Sequence, residues 1–323
     1  MDQITVDPLS LISPKRSIRG AAAVLLPYQT SGEVDWRSFQ GLLERTLEAG
    51  LIPAVNMDTG YVNLLDEHTK RRVLQEAQAI VGGGRYFAGA FVPDSPGDSF
   101  NESAYAERTG LIQERGGVPV IFQSYGLAHV EGSEVIDNYR TLASHCDEFI
   151  AFELGTMFAP FGKIYGEEVF RELLKISQCS GAKHSSLCRE TEWSRITMRN
   201  EARPEFRVYT GNDLAIDMVI YGSDYLLGLA AFAPDLFAKR DACWAAGDSR
   251  WNTINDYLQH IGMVAFRAPV PAYKHSVAIY LHHRGWLPSS ETHPDSPRRS
   301  EADEEMLRQL AAKADSLFKE EVG

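Results

Sequence analysis

Paired cysteines, long apolar runs and basic clusters are all missing from this sequence, and each absence excludes a class of protein. The four cysteines (Cys146, Cys179, Cys188 and Cys243) show neither a CxxC pair nor the spacing of a zinc site, so we expect buried thiols in a reducing compartment. No apolar run is long enough to span a bilayer. Residues 1–14 lack the basic and apolar regions of a signal peptide. These features predict a soluble, cytoplasmic protein.

Acidic residues outnumber basic ones along the chain. There are 32 lysines and arginines against 44 aspartates and glutamates, a formal net charge of −12 over 323 residues. Basic runs such as that at 298–299 are too short to form a patch for nucleic acid or an anionic membrane. No GxGxxG follows the first predicted strand, and no GxxxxGK precedes a Ser or Thr, which counts against nucleotide-binding folds. We therefore predict no nucleic-acid or membrane partner.

The chain does contain a regular alternation of apolar segments of strand length with longer segments of helical period. Near-continuous apolar strands are typical of a parallel sheet that is covered on both faces. Eight strand–helix units in about 230 residues indicate a closed (β/α)8 TIM barrel, an α/β fold. The predicted strands are 21–27, 51–57, 86–92, 118–122, 149–152, 180–183, 206–210 and 225–231.

After the eighth strand the pattern is helical only. The predicted helices are 236–246, 251–265, 273–284 and 301–318. They bury too few residues to form an obvious separate domain. We therefore predict a barrel at 15–235 and a C-terminal helical extension, 236–323, packed on the barrel.

A run of small residues, 179–186, surrounds a single lysine, Lys183, at the end of the sixth predicted strand. Small neighbours leave room for a ligand. Partial desolvation there lowers the pKa of a lysine and frees neutral amine to attack a carbonyl. Local sequence alone favours a surface lysine on a strand-to-helix loop, so the rest of the chain must decide between the two interpretations.

Several short motifs follow one another in a characteristic order along the chain. They are Leu-Pro-Tyr at 26–28, Asp-Thr-Gly at 58–60, Gly-Ala-Lys at 181–183 and Thr-Gly-Asn-Asp at 210–213. In order and spacing, the chain resembles the dihydrodipicolinate synthase and N-acetylneuraminate lyase family of class I aldolases, as a divergent member. The resemblance runs from about residue 20 to the C-terminus.

The resemblance implies a (β/α)8 barrel, often a homotetramer, in which Lys183 forms a Schiff base with pyruvate or another 2-oxo acid. The iminium acts as an electron sink, so an adjacent C–C bond can form or break through an enamine without a metal or organic cofactor. Tyr125 resembles the tyrosine of the family's proton relay. The residues expected to contact substrate are Asp58, Thr59, Gly60, Gly211 and Asn212.

The turn at 58–60 departs from the family's pattern. Asp58 stands in place of a hydroxyl residue, and Tyr61 in place of a glutamate. Thr59 and Gly60 keep one hydroxyl and a permissive backbone for holding a carboxylate. An ionised, inward-facing Asp58 would repel that carboxylate; alternatively it holds a cationic or polyhydroxylated substrate, or acts as a base.

The fifth predicted strand also departs from the family's pattern. Phe152 stands where the family has its relay tyrosine, and Glu153 follows it. A buried glutamate with a raised pKa can act as the acid or base instead; the alternative is a carboxylate that faces the helix layer and pairs with a base. His184 should point away from Lys183, since side chains alternate along a strand, and we expect it to be structural. The family's carboxylate-binding arginine is absent, which argues against dihydrodipicolinate synthase itself and for a less charged, aromatic or apolar aldehyde.

The leading hypothesis is therefore a class I lyase or aldolase, with Lys183 as nucleophile and Tyr125, Glu153 or Asp58 moving protons. A second hypothesis is a 2-oxo acid dehydratase or hydratase-aldolase that uses the same enamine. A third is a catalytically inactive ligand-binding barrel. The expected partners are a 2-oxo acid, an aldehyde and further copies of the chain.

Overall fold

The computed structural model describes residues 6–319, and eight parallel strands organise this part of the chain. The strands form a closed barrel in sequence order, β1 to β8, which confirms the predicted (β/α)8 fold. Their bounds are Gly20–Ala23 (β1), Ile52–Val55 (β2), Phe87–Ala90 (β3), Val118–Ile121 (β4), Phe149–Leu154 (β5), Cys179–Ser185 (β6), Arg207–Thr210 (β7) and Asp224–Leu227 (β8).

Eleven α-helices accompany the strands within residues 6–319. Their bounds are Trp36–Glu48 (α1), Glu67–Val81 (α2), Glu102–Glu114 (α3), Tyr125–Ala128 (α4), Gly132–Ala143 (α5), Glu167–Leu173 (α6), Arg189–Ala202 (α7), Pro234–Ala246 (α8), Arg250–Ala265 (α9), Tyr273–His283 (α10) and Glu301–Lys319 (α11). The predicted C-terminal helices are all present. No helix in the described range has both the length and the apolar character that crossing a bilayer requires.

Polar side chains set the starts of several helices. The carboxylate of Asp35 accepts a hydrogen bond from the Ser38 N–H at the start of α1, and Asp66 does the same for Thr69 at α2. These residues satisfy backbone donors that have no partner inside the helix. The helix α2 ends at Gly82, whose left-handed conformation suits a residue without a side chain.

The strands β5 and β6 are longer than predicted. β6 continues to Ser185, so Lys183 lies two residues before the end of the strand. Phe152 is paired with Lys183, and Glu153 with His184. In parallel strands, paired residues point to the same face, so the lysine and the phenylalanine share one face while the histidine and the glutamate share the other.

Two compact units are distinguishable in the chain. The first comprises Arg85–Leu226 and the described residues up to Pro14; it contains β3 to β7 and α3 to α7. The second comprises Lys15–Gly84 and the described residues from Leu227 onward; it contains β1, β2, α1, α2 and the C-terminal helices. The predicted division into a barrel, 15–235, and an extension, 236–323, stays a prediction.

Three local expectations differ from the structure. Cys188 is exposed, not buried, because it precedes α7 in the loop after β6. The eighth predicted strand stops at Leu227, and Leu229–Ala231 forms a 3-10 turn. The short helix α4 was not predicted, because only one turn of chain adopts it.

The start of α4 is packed so tightly that Gly126 cannot carry a side chain. A Cβ at Gly126 would overlap the backbone of Ser99 and lie 2.7 Å from the Phe100 nitrogen. We expect Gly126→Ala to lower the free energy of unfolding by about 1–3 kcal/mol, as overpacking does. Gly110→Ala, inside α3 where nothing lies within 4 Å of the new Cβ, should instead raise it by about 0.5–1 kcal/mol. Urea unfolding followed by circular dichroism measures both, and equal midpoints would contradict the packing argument.

Candidate active site

Lys183 lies half-buried on β6, beside an aromatic ring. Its Nζ is 4.4 Å from the ring centroid of Phe152, the residue paired with it on β5. The preceding residues, Gly181 and Ala182, are small and buried. Phe152 thus occupies the position next to the amine at which the resembled family has its relay tyrosine. Unlike a phenol, its ring has no proton to exchange.

Gly211, in the loop after β7, lies against the side chain of Lys183. Its N–H donates to the carbonyl oxygen of His184 at 2.8 Å, which continues the β6–β7 ladder beyond Thr210. A Cβ at Gly211 would lie 2.8 Å from Lys183 Cε and would overlap Ser185 Oγ. The lysine side chain therefore fits beside this loop because position 211 has no side chain.

Asn212 is buried, and its amide oxygen is used within its own loop. Its Oδ1 accepts from the Leu214 N–H at 3.1 Å, while its own N–H donates to Thr210 Oγ1 at 3.3 Å. These are the bonds of a turn in which an asparagine side chain mimics the backbone. Asn212 therefore shapes the loop that carries Gly211.

Glu153 faces away from Lys183 and lies in a buried charge network. Its carboxylate accepts from Arg195 Nε at 2.8 Å, from Arg195 Nη2 at 3.1 Å and from the Tyr165 N–H at 2.9 Å. His184 Nδ1 is 2.7 Å from the same carboxylate, and His184 Nε2 is 2.7 Å from Ser186 Oγ. The side chains of Glu153, Arg195 and His184 are each 1% exposed or less.

The charge state of Glu153 differs from the expectation. Burial acts to raise the pKa of Glu153, but the positive charges and hydrogen bonds of Arg195 and His184 outweigh it and hold the pKa far below its usual value. The expected raised pKa is therefore wrong. The alternative, a carboxylate that faces the helix layer and pairs with a base, describes the observed arrangement. His184 is fully buried on that face, as expected of a structural residue.

The arginine of this network shares one face of α7 with two other charged residues. Glu192, Arg195 and Arg199 are all buried on α7, and their spacing of three and four residues places them on one face of a helix. Buried charges at that spacing require partners on the adjoining strands. Glu192 finds them in Thr210, at 3.0 Å, and Ser223, at 2.5 Å, and burial raises its pKa.

Tyr125 begins α4, and its ring lies among other rings. Its N–H donates to Asp94 at 2.9 Å, and its ring centroid is 5.2 Å from that of His129 and 6.3 Å from that of Phe161. A continuous series of aromatic contacts, with centroid separations of 5.1 to 6.3 Å, joins the ring beside Lys183 to that of Tyr125. The series, here called the aromatic series, runs Phe152, Phe122, Phe91, Phe161 and Tyr125.

Phe91 and Phe122 are two members of the aromatic series that were not singled out from the sequence. Each is the first residue after a strand, β3 and β4 respectively. Active sites of (β/α)8 barrels form at the C-terminal ends of the strands, so this position was the signal that could have identified them.

In the second unit, the turn Asp58–Gly60 follows β2 as a single 3-10 turn. The hydroxyl of Thr59 is 2.9 Å from that of Tyr273 on α10. Tyr273 donates to Asp58 Oδ2 at 2.9 Å, and Lys274 Nζ donates to Asp58 Oδ1 at 2.9 Å. The N–H of Gly60 is bonded to the Met57 carbonyl at 3.0 Å, so it is already used within the turn.

The charge of Asp58 is therefore balanced. Lys274 is 5% exposed, whereas the Asp58 side chain is 53% exposed. The repulsion of a substrate carboxylate that was considered for an inward-facing Asp58 assumed an unpaired charge. Tyr273 and Lys274 could not be identified from the sequence as partners of residue 58, because their closeness to it depends on the fold and not on any local pattern.

Residues 18–293 match the family described as "Protein of unknown function (DUF993)". The chain belongs to this family. No curated protein matches the sequence.

Solved structures similar to this DUF993 protein are dihydrodipicolinate synthases and their relatives. A monomeric dihydrodipicolinate synthase variant is 18% identical, with a TM-score of 0.80 over 96% of this chain and 99% of its own. The enzyme from Thermotoga maritima is also 18% identical, with a TM-score of 0.78 over 94% and 100%. A prophage protein of the same family from E. coli K12, in complex with pyruvate, is 16% identical, with a TM-score of 0.80 over 92% and 98%. At 16–18% sequence identity, this structural similarity shows that the chain has the fold of the dihydrodipicolinate synthase family.

Removal of Arg195 tests the charge network. Arg195→Met should lower the free energy of unfolding at pH 7 by about 3–5 kcal/mol, because it leaves Glu153 buried without its main counter-charge. Arg171→Met breaks an exposed pair with Glu201 and should cost less than about 1 kcal/mol. Chemical unfolding measures both, and a loss in Arg195→Met no larger than in the control would contradict the argument.

The same network predicts a pH dependence. The folded-state pKa of Glu153 lies below its ordinary value of 4.5, so its stabilisation is complete above that pH and is lost as the pH falls toward the folded pKa. Without Arg195 the opposing effect of burial gains weight, so Glu153 should protonate more readily. The stability difference between wild type and Arg195→Met should therefore shrink between pH 6 and pH 3. A constant difference across that range would exclude ionised Glu153 as its source.

Proposed function

We propose that this DUF993 protein is a class I, Schiff-base-forming lyase or aldolase acting on pyruvate or a related 2-oxo acid. The observation that carries the proposal is the setting of Lys183: a half-buried amine on β6, next to the ring of Phe152 and against the bare backbone of Gly211. The fold, shared with proteins of the dihydrodipicolinate synthase family, supports the same assignment.

In the proposed reaction, the neutral amine of Lys183 adds to the C2 carbonyl of the acid. Loss of water from the carbinolamine then gives an iminium. Departure of a proton from C3, or cleavage of the C3–C4 bond with release of an aldehyde, leaves its electron pair in an enamine. In the reverse direction the enamine attacks the aldehyde carbon, a proton is supplied to the new alkoxide, and water regenerates the amine.

The other candidate residues have different roles in this proposal. The loop of Gly211 and Asn212 shapes the space beside the amine. That Asp58, Thr59 and Gly60 contact the substrate stays a prediction from the sequence. Tyr125 contacts the far part of the substrate. Glu153 acts through β5 and β6 as a positioning residue, because its oxygens are occupied by Arg195, His184 and the Tyr165 N–H.

The acceptor is proposed to be an apolar or aromatic aldehyde. Support comes from the aromatic series, which starts at the ring beside Lys183 and ends at Tyr125, and from the absence of the arginine that binds a second carboxylate in the resembled family. Three of the rings, those of Phe91, Phe161 and Tyr125, are half-buried and present apolar surfaces on which another ring can stack or pack by its edge.

Borohydride trapping tests the Schiff base. Wild-type protein is incubated with pyruvate and with a panel of other 2-oxo acids, reduced, and analysed by intact mass and peptide mapping. We expect one reduced adduct, on Lys183, in wild type and in Lys175→Met, a control that removes an exposed lysine. Lys183→Met should give none.

Absence of an adduct on folded wild-type protein with every acid would overturn the Schiff-base proposal. Binding of the acids without an adduct, and unchanged in Lys183→Met, would favour the ligand-binding barrel. An unsaturated 2-oxo product without release of an aldehyde fragment would indicate the dehydratase.

Gly211→Ala gives a second test of the site. A methyl group at residue 211 would displace Lys183 Cε, so the trapping rate on Lys183 should fall at least about 10-fold, in line with the sensitivity of reactions to misplacement of a reacting group. Gly155→Ala, where the nearest atoms are 3.8 and 3.9 Å away, serves as the control. Equal trapping rates in the two variants would show that Gly211 does not position the amine.

A further inference from the structure

A cavity of about 880 Å³ opens among the helices α5, α6 and α7 of the first unit. This volume accommodates a small organic molecule. Val135 and Val169 form apolar parts of its wall, and the half-buried ring of Trp193 adds an aromatic surface. Arg195, also part of the wall, binds Glu153 on the face of the strands opposite to the Lys183 side chain, so the cavity is separate from the candidate active site.

Arg195 has one nitrogen without a partner. Its side chain is 1% exposed. Nε and Nη2 donate to Glu153 and to the Tyr165 carbonyl, whereas Nη1 has no acceptor among the residues that the structure describes. Since Arg195 belongs to the cavity wall and its other nitrogens are turned toward Glu153, Nη1 is the donor that a ligand can reach. Buried N–H groups are normally hydrogen-bonded, and an oxygen atom of a ligand would supply the acceptor.

Carboxylates at the rim of the same cavity also lack partners. Glu168 lies in the first turn of α6 and Glu190 in that of α7; both are exposed and line the cavity. Neither forms a hydrogen bond or an ion pair with any residue in the described part of the chain. A third glutamate, Glu167, already accepts from Ser194 Oγ at 3.0 Å. The cavity therefore offers a donor at its wall and acceptors at its rim.

The charges around the cavity disfavour both kinds of ion. Three glutamates line it against one lysine, Lys163, and Glu153 balances the charge of Arg195, so an anion would be repelled. The attraction for a cation is weakened, because Glu190 lies at the N-terminal end of α7, where the helix dipole is positive. A hydroxyl group suits both sets of partners, since it accepts one hydrogen bond and donates another.

We propose that this cavity binds a neutral polyhydroxylated molecule, a sugar or a polyol. One hydroxyl accepts from Arg195 Nη1, and others donate to the carboxylates of Glu168 and Glu190. The C–H face of a sugar ring packs against the flat apolar surface of Trp193. The proposal is independent of the Schiff-base chemistry of Lys183, so either can fail without the other.

Cys188 provides a reporter of occupancy, because it lines the cavity and is exposed, whereas the other three cysteines are buried. Its reaction with an aryl disulfide that releases a coloured thiolate is timed in the presence of glycerol, xylose, glucose, sucrose or trehalose. Low millimolar concentrations avoid the general stabilisation that sugars cause by exclusion from the protein surface. Choline and sulfate serve as a cation and an anion. We expect at least one sugar or polyol to slow the reaction several-fold and saturably.

Two matched pairs of variants assign the effect to the cavity, after circular dichroism has verified that each variant is folded. Glu190→Gln removes a charged acceptor and should weaken the protecting ligand's binding about 10-fold, whereas Glu114→Gln, at an exposed position of α3, should not. Gly132→Leu adds a side chain to the cavity wall from an exposed position of α5 and should abolish protection. Gly110→Leu, on α3 where nothing lies within 4 Å of the new Cβ, should retain it.

Three outcomes would overturn the proposal. The first is protection of Cys188 by choline or sulfate but by no neutral compound. The second is equal protection in Gly132→Leu and Gly110→Leu. The third is the absence of protection by every sugar and polyol on folded wild-type protein.

Discussion

The ionised carboxylate of Glu153 is the constraint on which the site depends. Burying a charged group between strands and helices costs free energy unless its oxygens accept hydrogen bonds from the surrounding residues. Arg195 meets it from α7 with two nitrogens of one planar group, His184 meets it from β6, and the Tyr165 N–H meets it from the loop after β5. Three segments of the first unit are therefore held in one relative position, and β6 is the segment that carries Lys183.

This arrangement separates two kinds of chemistry across one strand. His184 and Lys183 are consecutive, so their side chains leave β6 on opposite faces. The face of His184 is ionic and saturated with hydrogen bonds. The face of Lys183 has a phenyl ring from β5 and a glycine from the loop after β7. The residue paired with Lys183 on β5 offers a ring in place of a carboxylate, and this setting supports the proposed role of the lysine.

The sequence predicted what depends on local pattern and on order. Eight apolar segments alternating with helical ones were enough for the barrel, whereas the selection of Lys183 needed the order of the short motifs along the whole chain. Long-range pairing could not be read in the same way. Arg195 lies 42 residues from Glu153, and Tyr273 lies 214 residues from Thr59. The face on which Glu153 points was left open, because one residue of register decides it.

That register is set by an irregularity in the pairing of β5 with β6. Phe149 pairs with Cys179, but the next residue, Ile150, pairs with Gly181, so Ser180 is an extra residue opposite no partner. If the same residues paired without a bulge, Ile150 would pair with Ser180, and Glu153 would stand opposite Lys183 on one face. Deletion of Ser180 would remove the bulge and keep each later pair, so the irregularity accommodates one extra residue of β6 while Lys183 stays opposite Phe152. Where two strands differ by one residue in length, the pairing partner and not the position along the chain therefore decides which side chains share a face.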